Sequence, residues 1–215
     1  MEQTMLLDVE TTENTVHTSV PKKKTAYLFF KRFLDIFLSL LALAVLWLPL
    51  LVIAVAIRID SPGPAIFRQK RMGKDGKIFT ILKFRTMRTT APSEVSACAF
   101  TDADRYITKI GAFLRRTSID ELPQLWNVLI GDMSIVGYRP LCLTEETVNN
   151  RRRELGVFSL RPGITGWAQV NGRDNINDEQ KVNLDVEYMQ RCSLKLDMHC
   201  LLKTVCTVIS GEGVL

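Results

Sequence analysis

The dominant feature of the hydropathy pattern is an uncharged apolar run of 22 residues from Ile36 to Ile57. As a helix rising ~1.5 Å per residue it would reach ~33 Å, enough for a hydrocarbon core of ~30 Å. Pro49, following Trp47-Leu48, divides the run into 13 and nine residues. Proline removes a backbone donor and bends or breaks a helix, and neither piece is long enough to span alone. Lys22, Lys23, Lys24, Lys31 and Arg32 precede the run; Arg58, Arg68, Lys70, Arg71 and Lys74 follow it. Positive charge favours the cytoplasmic side of a membrane, so both ends are expected there. The pattern therefore predicts a re-entrant helix–break–helix, with a kinked or straight span as the alternative.

The rest of the pattern is shorter in wavelength. Residues 1–25 are polar, Thr-rich and aperiodic, and read as a disordered tail with no signal peptide. Residues 26–60 form the anchor and 61–215 a compact domain, separated by the breakers Asp60-Ser61-Pro62-Gly63-Pro64. Ala65–Arg71 and Lys77–Phe84 read as two strands joined by Gly73-Lys74-Asp75-Gly76, a hairpin. A polar loop is expected over 88–104 and an amphipathic helix over Ile107–Arg116. A helix from about Asp120 to Leu129 has Ser118 as its expected N-cap, with the capping-box spacing to Glu121. Asp132–Pro140 and Arg161–Arg173 read as loops. Thr144–Leu155, Asp178–Gln190 and Leu196–Ile209 read as helices, the last packed in the core. The fold class is α/β, mostly α, and membrane-associated: a re-entrant anchor plus a small domain with one β-hairpin and several amphipathic helices.

Charge sharpens this picture. The net charge is +5, yet Glu2, Asp8, Glu10 and Glu13 stand in residues 1–20 without a Lys or Arg, so the remainder carries +9. Such a body suits anionic partners: phosphates, a nucleotide, an anionic membrane or nucleic acid. The five cysteines are odd in number and lack a C-x-x-C, which argues for reduced thiols. With His17 and His199 as the only histidines, a His metal cluster is excluded. His199 and the cysteines are read as packing residues. Arg151-Arg152-Arg153 is read as a solvated or headgroup-facing face.

Asp120 and Glu121 are the candidate chemical residues. In isolation, paired acids at a helix start are ordinary dipole-complementing charges. The surrounding cations change the weighting: Arg115 and Arg116 lie just upstream, Lys83 and Arg85 flank Phe84, and Arg139, Arg161 and Arg173 stand beside Pro or Gly. Guanidinium groups in irregular backbone suit multi-phosphate recognition. A carboxylate can hold Mg²⁺ or attack phosphorus, and adjacent carboxylates can divide these tasks. Spacing does not say which does which. Trp126 and Trp167 can stack on a base or sit in the core or at a membrane interface.

The sequence resembles the monotopic phosphoglycosyl transferases, the bacterial sugar transferase family, over about residues 31–213. The resemblance rests on ordered motifs: Lys31-Arg32 with Asp35; Lys83-Phe84-Arg85-Thr86-Met87; Asp120-Glu121-Leu122-Pro123-Gln124-Leu125-Trp126-Asn127-Val128-Leu129; Gly131-Asp132-Met133-Ser134; Gly137-Tyr138-Arg139-Pro140; and the Arg161–Arg173 segment. It implies a catalytic domain on the cytoplasmic face of the bacterial inner membrane, held by a re-entrant helix. It implies transfer of a sugar-1-phosphate from a UDP-sugar to polyprenyl phosphate with release of UMP. By similarity Asp120 is the nucleophile and Glu121 the Mg²⁺ ligand. Arg115 and Arg139 fall near the substrate phosphates, while Lys83, Arg85, Arg161, Gln169, Asn171 and Arg173 lie in matching motifs. Membrane lipid and downstream glycosyltransferases are expected partners, nucleic acid is not, and a homodimer is allowed.

Two positions depart from the family pattern. Leu48-Pro49 replaces a common Ser-Pro, and Tyr138 replaces the Pro of Gly-Pro-Arg-Pro, which is expected to loosen that loop. The competing reading is a non-enzymatic membrane-tethered basic module that binds anionic lipid or nucleic acid. It explains the charge and the anchor but not the Asp120-Glu121 segment.

Overall fold

The computed structural model describes residues 24–92, 103–172 and 176–210. Residues 1–23 of the predicted tail, most of the 88–104 loop, Cys98 and Arg173 lie outside the described residues; Thr25, the last residue of that tail, is already helical. The elements in chain order are α1 (Thr25–Asp60), β1 (Ile66–Met72), β2 (Ile78–Phe84), α2 (Ala103–Tyr106), α3 (Lys109–Arg116), α4 (Gln124–Ile130), β3 (Ser134–Val136), α5 (Glu146–Glu154), β4 (Gly163–Thr165), α6 (Trp167–Asn171), α7 (Asp178–Arg191) and α8 (Leu194–Ser210). Helices dominate. The two sheets have two strands each, one antiparallel and one parallel.

The expected pair of helices around Pro49 is instead the single element α1, with 36 residues and Pro49 inside it. A straight helix of that length would measure ~54 Å, and its best 18-residue window has a mean hydropathy of 2.9. Phe37, Leu41, Val45, Leu48 and Val52 are exposed. Both ends of α1 nevertheless bind the same domain. Near the start, Lys31 pairs with Asp197 at 2.8 Å and Tyr27 and Tyr188 donate to the same carboxylate. The next residue, Arg32, donates to the carbonyls of Val128 and Leu129, and one turn on the Ile135 amide donates to Asp35 at 3.0 Å. Near the end, Leu50, Ile53, Ala54 and Ile57 pack with Phe84, Leu114, Ile110 and Ile119. Asp60 accepts from the Ile110 amide at 3.2 Å.

The β-hairpin has the register Ile66↔Phe84 to Met72↔Ile78, with Asp75 in the left-handed region (φ 55°) at the turn. Alternation places Ile81 in a cluster with Val128 and Met133, and Phe84 against α1 and α3. Asn127 of α4 behaves as a third strand at the β2 edge: it accepts from the Leu82 amide at 3.0 Å and donates to the Thr80 carbonyl at 2.8 Å. A single amide side chain thus replaces two ladder bonds and fixes α4 against the sheet.

Two predicted loops contain the parallel pair β3–β4, missed because each strand has only three residues. The pairing needs glycine. A Cβ on Gly163 would lie 2.1 Å from the Gly137 nitrogen, and one on Gly166 would lie 1.7 Å from the Gly137 oxygen. The two segments therefore meet backbone to backbone. Tyr138 does not loosen this loop. Its ring is 2% exposed, 5.5 Å from Phe158 and 5.2 Å from Arg152, and it fills the core beside the strands. Helix α8 also departs from core packing alone. Cys200, Leu196 and Leu201 face the core, but Leu194, Met198, Leu202 and Val205 form an exposed stripe on the same helix.

Candidate active site

Asp120 and Glu121 do not begin an α-helix. Ser118 adopts a left-handed conformation (φ 56°) and makes no cap bond, so the capping box is absent. Ile119–Glu121 form a single 3₁₀ turn, and α4 starts after Pro123, whose missing amide is tolerated at a helix start. The turn lies over the end of β2. The Asn127 bonds set this placement, because they fix α4 in register with residues 80–82 of β2.

Lys83 reaches Glu121 Oε1 with its Nζ at 2.7 Å, and Arg139 Nη1 lies 3.5 Å from the same oxygen. Glu121 and Lys83 are less than one-fifth exposed, whereas Arg139 is 43% exposed. Arg71, Lys83, Glu121, Gln124 and Arg139 line a small cleft, closed on one side by Gly163 and Ile164. Burial pushes the Asp120 carboxyl up to about 6; Lys83, Arg115 and Arg139 pull it down and the Glu121 charge pushes it up. Burial disfavours the charged form more than the cations favour it. Arg115 is aimed by its Nε donation to Thr86 Oγ1 at 2.9 Å.

The structure thus brings together Asp120, Glu121, Lys83, Arg115 and Arg139. It places other sequence candidates elsewhere. Arg85 is 5% exposed and donates to the carbonyls of Ile57, Ser61 and Pro62, where it caps the end of α1. Arg161 donates to the Gly131 carbonyl at 2.9 Å, just beyond α4. Gln169 donates to the Ile164 carbonyl behind the cleft wall, and Asn171 bonds Trp167 and Lys203. Irregular backbone attracted these guanidinium groups because helix ends leave unpaired carbonyls, a cause that does not involve phosphate.

Two further arginines support the cleft. Arg71, a residue of β1, bonds Gln69 and the Pro140 carbonyl, and its position depends on the hairpin register. Arg152 is fully buried rather than solvated. It meets Asp185 of α7 at 2.5 Å and donates to the Arg139 carbonyl at 2.9 Å, so the backbone carrying Arg139 hangs from a sealed ion pair. A triple-arginine run gives no signal of this. The clue lies in Asp185, the buried acid 33 residues later on α7.

Among the described residues no cluster of three or more His, Cys, Asp or Glu side chains could cage a metal. The donor set still fits Mg²⁺, which takes one or two carboxylates and completes its shell with substrate phosphates and water. Asp120 and Glu121 supply hard oxygens, and the adjacent cations favour a polyanionic ligand.

Comparison with known proteins identifies the family. A model of the family described as "Bacterial sugar transferase" matches residues 26–211. "Galactosyl transferase CpsE" of Streptococcus agalactiae is 42% identical over 202 residues, covering 88% of this chain and 44% of the relative. "UDP-glucose:undecaprenyl-phosphate glucose-1-phosphate transferase" of Escherichia coli is 44% identical over 185 residues, covering 81% of this chain and 39% of the relative. The chain therefore spans less than half the length of these two. "Exopolysaccharide production protein PSS" of Rhizobium leguminosarum is 42% identical over 203 residues, covering 86% of this chain and 98% of the relative. With its ordered motifs, its acid pair facing arginine and its apolar helix, this chain belongs to the bacterial sugar transferase family.

Proposed function

We propose that the chain transfers a sugar-1-phosphate from a UDP-sugar to polyprenyl phosphate, releasing UMP, by way of a covalent intermediate on Asp120. A half-buried acid pair held against Lys83, Arg115 and Arg139 is the observation that carries this reading. In the first half, an Asp120 carboxylate oxygen attacks the phosphorus bearing the sugar. The bond from that phosphorus to the bridging oxygen breaks, and UMP leaves with the electron pair. In the second half, a phosphate oxygen of the lipid attacks the same phosphorus. The acyl-phosphate bond breaks and Asp120 is regenerated as a carboxylate.

Glu121 is the residue placed to hold Mg²⁺, which when bound would neutralise charge on the diphosphate. Lys83 fixes the Glu121 carboxylate, and Arg139, the more exposed cation, faces an incoming phosphate. Arg115 adds positive charge beside Asp120. Relatives' names that specify UDP-glucose or UDP-N-acetylgalactosamine with undecaprenyl phosphate support the donor and acceptor classes.

The anchor is read as re-entrant, on the cytoplasmic face of the bacterial inner membrane. Both ends of α1 are bonded to one domain, whereas the exposed apolar middle faces away from it. A helix crossing ~30 Å of hydrocarbon would leave its ends on opposite sides. The site then lies at headgroup level, where a soluble nucleotide sugar and a lipid phosphate can meet. The basic-module reading leaves the organised acid pair without a role.

The test is UMP release from a panel of UDP-sugars, with purified chain in detergent, Mg²⁺ and polyprenyl phosphate. One donor should support turnover, and Asp120→Asn should lose both turnover and the phospho-sugar adduct seen by intact-mass analysis. Near-normal turnover in Asp120→Asn would remove the proposed nucleophile.

A further inference from the structure

A second recess, of about 110 Å³, opens between the first turns of α1, the β1–β2 turn and the segment around Arg161. It shares no lining residue with the cleft at Glu121. Four cations line it: Lys31, Arg32, Lys74 and Arg161. The one carboxylate in its wall, Asp35, already accepts the Ile135 amide. Lys31 is neutralised by Asp197 from behind. The other three cations meet no carboxylate within salt-bridge distance among the described residues.

Arg32 and Arg161 converge on one spot. Arg161 Nε donates to the Gly131 carbonyl at 2.9 Å, and a Cβ placed on Gly131 would lie 3.4 Å from Arg32 Nη2. Arg32 spends donors on Val128 and Leu129, and Arg161 spends one on Gly131. A guanidinium has five N–H donors, so each retains several. Two like charges held together by backbone, with spare donors and a lysine opposite, form a receptor for an anion with several acceptor oxygens. Phosphate fits that description.

The position of the recess on α1 names the carrier of the phosphate. Phe29, Phe30, Phe33 and Phe37 are exposed immediately around Lys31 and Arg32, and the apolar run begins at Ile36. Exposed aromatics with Lys and Arg at the head of an apolar helix mark the depth of lipid headgroups. We propose that this recess binds the phosphate group of a membrane lipid and fixes the depth at which the domain sits. A phosphate held there is not the reacting one, because the recess is separate from the acid pair. Arg161 is thereby assigned to a lipid phosphate instead of to the nucleotide sugar. The proposal rests on α1 lying in a membrane and not on the transfer chemistry.

The experiment titrates the delipidated chain, in neutral detergent, with phosphatidylglycerol, a short-chain polyprenyl phosphate and inorganic phosphate, reading bound lipid by native mass spectrometry. Arg161→Gln and Lys74→Glu are compared with Lys195→Glu, an exposed lysine of α8 outside the recess. Each recess variant should weaken lipid binding on the order of tenfold, and Lys195→Glu should not. If only phosphatidylglycerol responds, the site holds a resident phospholipid. If polyprenyl phosphate responds too, the acceptor shares it. Equal loss in Lys195→Glu, no loss in either recess variant, or inorganic phosphate binding as tightly as the lipids would each overturn the proposal. A thermal melt confirms that the variants fold, with Lys74→Gln as the milder replacement. UMP release from the wild-type preparation separates failure of this site from failure of the transferase reading.

Discussion

Asp185 and Glu121 are both carboxylates that face arginine, and Arg139 belongs to the surroundings of each. Asp185 meets Arg152 at 2.5 Å with both side chains at or below 2% exposure, and the pair closes on the Arg139 carbonyl and the Tyr138 ring. Glu121 meets Lys83 at 2.7 Å and the Arg139 side chain at 3.5 Å, beside a cleft and next to a second acid of raised pKa. The first cluster cancels its charge internally and has no room for a ligand. The second keeps cations partly exposed and an acid pair in imperfect balance. Proximity of arginine to an acid does not separate structure from chemistry; the fraction of the charge left uncompensated does.

The sharpest way to break this contrast is Asp185→Ala. It strands the buried Arg152 guanidinium and should cost about 3–5 kcal/mol of stability, seen in urea or thermal unfolding. Glu121→Gln should instead lose turnover while costing about 1 kcal/mol, because the amide oxygen still accepts from Lys83 and Arg139 stays 43% exposed. If both variants unfold alike, the two clusters are of one kind.

Arg85→Met probes the third type of arginine, the helix-end cap. It leaves the carbonyls of Ile57, Ser61 and Pro62 without that donor, and should cost about 2 kcal/mol. A phosphate-binding role would show the opposite signature: weaker donor binding with an unchanged melt.

Asp120→Asn should raise stability. The folded carboxyl titrates near 6, above its unfolded value, so the folded state holds the proton more tightly. Stability is then lost as pH rises through the window from the ordinary carboxylate range to about 6. At pH 7.5 the amide should gain about 2 kcal/mol, and below pH 4 nothing. A melt that falls at pH 7.5 would deny the burial cost. In the wild type, turnover should decline below about pH 6 as the attacking carboxylate takes up its proton.

The smallest effect is expected at Tyr138→Phe. The Tyr138 hydroxyl is buried with no hydrogen-bond partner among the described residues, while its ring packs on Phe158 and Arg152. Removing the oxygen should be neutral or stabilise by about 1 kcal/mol. A clear loss would mean that the hydroxyl anchors the Arg139 loop.

Much of the site was legible from the chain. Asp120, Glu121, Lys83 and Arg139 lie within named motifs, Arg115 stands just upstream of one, and the structure clusters them. Arg85 and Arg161 were drawn to the nucleotide for the same reason, yet they sit on carbonyls at the ends of α1 and α4. Sequence shows which donors exist; it does not show which acceptors are nearer. Arg152 was misread because a charged run reads as a wet face until α7 places Asp185 against it.

The apolar run, the hairpin with its turn, and the long C-terminal helices were determined by the sequence itself. Local hydropathy period, proline and glycine suffice for these, since each depends on neighbours a few residues away. The tertiary structure decided the rest. It made one helix through Pro49, tied both ends of α1 to one body, and paired β3 with β4 across glycines. It also set Asp120 and Glu121 in a 3₁₀ turn over Lys83 through two bonds of Asn127. These outcomes depend on contacts between residues far apart in the chain, where burial and the nearest available partner, rather than local pattern, set the energy.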